Sequence, residues 1–224
     1  MTFFHRLFTI FLKDLRLEWR TREAMSAMLL FAILVLVIFN FAFNPDRELV
    51  LLIGPGILWV AFTFAAVLGL NRAFAAEQDN GCLAGVLLTP IDRGGIYLGK
   101  WLANLVFTLV AEVILLPFFV LFFNLTLTTE LPALLFVCLL GTIGFTAVGT
   151  LLAAVSANTR LREVMLPILL FPITVPVIIG AVESTGMILN HETEGLRDMV
   201  RMLALYDVIF LVSSTLLFDF VLEE

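Results

Sequence analysis

AMSAMLLFAILVLVIFNFAF, Ala24–Phe43, is twenty residues without a charge. A bilayer's hydrocarbon core is about 30 Å thick, and about 20 apolar residues in a helix cross it. Composition agrees: 61% of the 224 residues are apolar and only 14% are charged, where a soluble domain is about half apolar and a quarter charged. So many apolar side chains exceed what one core of this size can hold, so they must face lipid. Five further runs follow: Leu49–Leu70, Trp101–Phe123, Leu131–Val155, Val164–Val182 and Met202–Leu222. None alternates with a period of two, which excludes strands of a barrel. Backbone groups in lipid must bond within their own segment, so the runs are read as six helices. The fold class expected is all-α, a polytopic membrane protein forming one permease domain.

Orientation follows from Lys and Arg in the connections. Arg6, Lys13, Arg16, Arg20, Arg22, Arg72, Arg93, Lys100, Arg160 and Arg162 fall on one side; only Arg47, Arg197 and Arg201 fall on the other. Both termini are therefore expected in the cytoplasm, and residues 183–201 in an outer loop. The first 23 residues carry both signs of charge and no clean apolar stretch, so no cleavable signal peptide is expected.

Residues 1–23 read instead as an amphipathic elbow helix. Phe4, Leu7, Phe8, Phe11, Leu12, Leu15 and Trp19 recur at three- and four-residue spacing, opposite Arg6, Lys13, Arg16 and Arg20. Such a helix lies in the interface with aromatics in the acyl boundary and bases toward head groups. Glu18 and Arg22 spoil the stripe where the chain turns into the first span.

Residues 71–100 are long for a connection between neighbouring helices. Leu83, Val86 and Leu87 stand at helical spacing behind Glu77 and Asp79, and Thr89-Pro90 ends the helix. A short cytoplasmic helix over about residues 75–88 suits docking into a groove on a soluble partner. The same connection ends in GGIYLGKW, Gly94–Trp101, which mimics a phosphate loop. A true one follows a strand and places Ser or Thr after the lysine. Here Trp101 stands there and the following helix is a span, so nucleotide binding is excluded. Gly94 and Gly95 are expected to turn the chain, and Lys100 and Trp101 to sit at the interface.

Inside the spans, Glu112 is expected to face the bundle, because a charge at mid-membrane costs about 2.5–3.5 kcal/mol on insertion scales. It reads either as a polar group on a cargo path or as a packing hydrogen bond. Asp207 is expected near the outer interface. Pro55, Pro167, Pro172 and Pro176 are hinge candidates or static kinks. Gly141, Gly144, Ala147 and Gly149 permit close helix approach. The two cysteines, Cys82 and Cys138, have neither zinc nor disulfide spacing. No basic patch with interleaved aromatics suggests nucleic acid. His5 and His191 are the only histidines; His191 lies in the outer loop.

The elbow, the six spans and E-x-x-x-G-x-L-x-x-x-L-L-T-P-x-x-x-x-x-x-x-x-G-K (Glu77, Gly81, Leu83, Leu87, Leu88, Thr89, Pro90, Gly99 and Lys100) resemble ABC-2-type exporter permeases. Within that group, KDLRLEWRTRE (Lys13–Glu23) and GPGILWVAFTFAAVLGLNRAFAAEQDNGCLAGVLLTP (Gly54–Pro90) resemble the CcmB family of cytochrome c maturation permeases. The likeness is strong there and weak in the last third. It implies a bacterial inner-membrane subunit with no ATPase of its own. A separate cytosolic ATPase subunit of the A type would grip Glu77, Gly81, Leu83, Val86, Leu87, Thr89 and Pro90. Other partners implied are heme-handling membrane subunits of the C and D types and a periplasmic heme chaperone. No resident cofactor is expected; heme enters as cargo. A lipid or polysaccharide cargo, or a subunit that only transmits ATPase motion, stays open.

Overall fold

The computed structural model describes residues 3–43, 46–79, 93–126, 129–157, 159 and 161–221. These form seven helices and, among the described residues, no strand: α1 (Phe3–Thr21), α2 (Glu23–Phe43), α3 (Arg47–Asp79), α4 (Arg93–Phe122), α5 (Leu131–Ala157), α6 (Arg162–Leu189) and α7 (Leu196–Val221). Six of them, α2 to α7, are long and apolar enough to cross a membrane. The protein is a multi-pass membrane protein.

Two helices form the middle. In their most apolar windows, 67% of α3 and 56% of α5 are buried, against 22% of α2. α5 packs against α3, α4, α6 and α7. Lipid is as apolar as leucine, so contact between spans depends on close fit. Glycines on α5 provide it. A Cβ at Gly141 would collide with the Trp59 ring of α3, one at Gly149 with Leu70 of α3, and one at Gly144 would lie 2.9 Å from the Tyr206 ring of α7. Tyr97 of α4 reaches the same helix, its hydroxyl donating to the Ala147 carbonyl at 2.8 Å.

The helices outrun the apolar runs. The connection expected over 183–201 shrinks to 190–195, because α6 continues to Leu189 and α7 starts at Leu196. Ser184 and Thr185 do not break α6: their hydroxyls donate back to Gly180 (2.7 Å) and Ala181 (2.8 Å) carbonyls in the preceding turn. Ile188 and Leu189 are buried, so part of the expected outer loop is the last turn of a core helix. At the other end of the membrane, Gly94 and Gly95 lie inside the first turn of α4 and make no turn before it.

Every proposed hinge proline is inside a continuous helix, Pro55 in α3 and Pro167, Pro172 and Pro176 in α6. Thr174 donates to the Leu170 carbonyl at 2.9 Å, and Tyr206 of α7 donates to the Ile173 carbonyl at 2.9 Å. Hydroxyls thus occupy carbonyls in the stretch where prolines remove donors.

Replacing Gly141 by Leu forces the Trp59 ring out of its seat. Overpacking of this kind costs about 1–3 kcal/mol. The melting temperature of the purified protein in detergent should fall, while Leu135→Ala, on an exposed position of α5, should leave it nearly unchanged. Equal effects of the two would contradict the close-fit account.

Candidate functional site

One end of the bundle begins at a joint. Arg22, between α1 and α2, has φ of 55°, the left-handed region. Its amide donates to the Glu18 carbonyl at 2.8 Å. The Glu18 carboxylate then accepts the Ala24 amide at 3.0 Å, capping the first turn of α2. The two residues that interrupt the amphipathic stripe are therefore the ones that build the bend.

From this joint α1 folds back onto α4. Ile10 is buried, while Phe8 and Trp19 remain exposed. Lys13, Arg16 and Arg20 are exposed and Phe11 is partly buried; the Arg6 side chain is outside the described residues. The seat is Gly99: a Cβ there would stand 3.0 Å from both the Ile10 Cβ and the Leu7 carbonyl oxygen. Next to it, Lys100 is 3% exposed and its Nζ lies 3.5 Å from Asp14 Oδ2. Asp14 also pairs with Lys13 at 3.0 Å. Lys100 is thus a buried pin between α4 and α1. The lysine stem spans the apolar contact and delivers its charge to a carboxylate at its edge. A cavity of about 50 Å³ beside the pin is lined by Asp14, Glu18, Arg72, Lys100 and Asn104 among others.

α3 has 33 residues, about 50 Å of helix at 1.5 Å per residue, well beyond a hydrocarbon core of about 30 Å. It carries Glu77 within its final turns, and residues 75–79 of the expected docking helix belong to it. The Glu77 side chain, and Gly81, Leu83, Val86, Leu87, Thr89 and Pro90 altogether, lie outside the described residues. The two ends of that segment are placed: it leaves α3 at Asp79 and enters α4 at Arg93. Arg93 donates to the Asp219 carbonyl of α7 at 2.8 Å.

A second polar group is buried within the bundle. Glu112 of α4 is 3% exposed. Its Oε1 accepts the Thr142 hydroxyl of α5 at 2.7 Å, and its Oε2 has no hydrogen-bond partner among the described residues. Trp59, Thr63, Thr108 and Thr142 line the small void beside it. Asp207 is 6% exposed. It lies against Gly144 of α5 with neither carboxyl oxygen in a well-formed hydrogen bond. α7 starts six residues before its apolar run, so Asp207 stands three turns from the start of the helix and is buried against α5. Glu112 and Asp207 thus approach α5 from two different helices, at Thr142 and Gly144. Among the described residues neither is in an ion pair, and no group of three or more His, Cys, Asp or Glu side chains could hold a metal ion.

The sequence profile of the family described as CcmB protein matches residues 5–221. The chain belongs to the CcmB family. Among curated relatives, heme exporter protein B of Pseudomonas aeruginosa is 29% identical over 176 residues, 77% of this chain and 78% of that protein. Heme exporter protein B of Rhodobacter capsulatus is 30% identical over 174 residues, 76% of this chain and 78% of its own length. That of Haemophilus influenzae is 29% identical over 178 residues, covering 78% of this CcmB-family chain and 80% of the relative.

Sequence reasoning about this CcmB-family chain missed Asp14 as a partner and Thr142 as a ligand of Glu112. Thr142, Thr146 and Thr150 recur every four residues on α5, a polar stripe legible in the sequence. The Asp14–Lys100 pair, 86 residues apart, left no local signal.

Removing one partner of a buried pair strands the other charge, at about 3–5 kcal/mol when fully buried and about 0–1 kcal/mol when exposed. Asp14→Leu should fall between these, and Asp14→Leu with Lys100→Met should recover part of the loss. A double-mutant cycle on thermal stability measures it; strictly additive losses would show that the pair does not hold α1 to α4.

Proposed function

We propose that the chain is the permease subunit of an ABC exporter complex in cytochrome c maturation. It hands heme to, or helps release it from, a periplasmic heme chaperone. The observation that carries this is the family match over residues 5–221, together with relatives that bear the name heme exporter protein B. Orientation is argued from charge: ten of thirteen Lys and Arg residues gather on one side, which puts both described ends and residues 71–100 in the cytoplasm of a bacterial inner membrane.

Energy comes from a separate ATPase. The only stretch that mimics a phosphate loop is committed elsewhere, with Gly99 under α1 and Lys100 on Asp14. The ATPase grips residues 77–90 between the ends of α3 and α4. Its closure moves those two helices, and α1, seated on α4, moves with them. The Lys100 pin makes the elbow part of the lever. Pro55 and the three prolines of α6 are the positions at which α3 and α6 bend. Glu112 and Asp207 set polar contacts at the middle of the moving bundle. The C- and D-type membrane subunits complete the cargo path. The match to heme exporter relatives favours heme over a lipid or polysaccharide.

Leu87→Asp places a charge on the proposed docking helix. The variant should reach the membrane in normal amount, lose copurification with its ATPase and stop cytochrome c assembly. Normal copurification together with normal assembly would overturn the docking assignment.

A further inference from the structure

A void of about 10 Å³ lies where α3, α4 and α5 meet. That is about the room one water molecule takes. Its polar lining is Glu112 with the hydroxyl residues Thr63, Thr108 and Thr142. All four are buried. Phe62, Ala66 and Phe145 close the apolar side.

The hydrogens around this void are already placed. Thr142 donates to Glu112 Oε1 at 2.7 Å, Thr63 donates to the Trp59 carbonyl at 2.8 Å, and the Trp59 indole N–H goes to Thr185 at 2.9 Å. The Thr63 and Thr142 oxygens can therefore only accept further bonds. Glu112 Oε2 is buried with no hydrogen-bond partner among the described residues. As a carboxylate, Glu112 would be a buried charge with a single hydrogen bond, far costlier than a neutral polar group. Among the described residues no cation stands against it. α3 presents Trp59 and Thr63, α5 presents Thr142 and Cys138, and Asp207 of α7 meets α5 at Gly144. Cys138 and Asp207 could only add negative charge. A hard metal ion takes about six oxygens, more than one carboxyl group and three hydroxyls supply. A proton needs one.

We propose that this void is a proton site: Glu112 carries a proton on Oε2 and donates it to one water, which donates in turn to the threonine oxygens. Oε1, bonded to Thr142, is the carbonyl end of the acid. The water bridges Thr63 of α3 to Glu112 of α4, so the proton is retained only while those two helices stay together. They are the helices at either end of residues 80–92, and proton release reports their separation. The site does not depend on the cargo.

Infrared spectra of the purified full-length protein at neutral pH test this. Wild type should show the carbonyl stretch of a protonated carboxylic acid. Glu112→Gln keeps the shape and can still accept from Thr142; it should lose a component of that stretch which Asp207→Asn retains. Thr142→Val frees the acid's carbonyl and should move the component to higher frequency. Thr63→Val removes an acceptor of the water and should also move it. Both threonine variants keep Glu112, so they test the site even if Glu112→Gln does not fold. A wild-type spectrum without the stretch, or the same stretch in Glu112→Gln as in wild type, would overturn the proton site. A component unmoved by Thr63→Val would overturn the bridging water.

Discussion

Close approach to α5 is the constraint on which this structure depends. In water, burying leucine would draw the helices together; in lipid that force is absent, and spans associate by fit and by polar contacts. The bundle supplies both on one helix. Gly141, Gly144 and Gly149 admit Trp59, Tyr206 and Leu70. Thr142 reaches Glu112 and the Ala147 carbonyl receives Tyr97. Helices α3, α4, α6 and α7 therefore meet on α5, and two acidic side chains, Glu112 and Asp207, are buried against that helix at Thr142 and Gly144.

The elbow extends the same logic to the surface. α1 is held by a glycine seat and a lysine–aspartate pair, both from the stretch that mimics a nucleotide loop. A glycine followed by lysine is a phosphate site only when a strand precedes and an open helix end follows. Within a helix, the same residues let another helix come close and give it a charge to hold. Lys100 is consequently a mechanical link. It joins α4, which begins at Arg93, to α1.

Much of this was legible in the chain. Six spans follow from runs such as Ala24–Phe43, because hydrocarbon thickness fixes length and the lack of water fixes helix. The burial of Glu112 follows from the same physics. The ends were less legible: apolar runs mark lipid contact, whereas α6 and α7 continue beyond it on hydrogen bonds and core packing. Contacts between distant segments, such as Trp59 to Thr185 at 2.9 Å or Asp14 to Lys100, depend on which helix faces which, and periodicity within one helix does not specify its neighbours.

The account turns on which side of the membrane the α3–α4 connection occupies. Cys82 lies within it, and the other cysteine, Cys138, is buried. A membrane-impermeant maleimide therefore reports one position. Labelling in inverted inner-membrane vesicles and none in intact spheroplasts is the predicted result, with label suppressed when the ATPase is bound. Labelling of Cys82 in intact spheroplasts would place the connection outside and contradict the account.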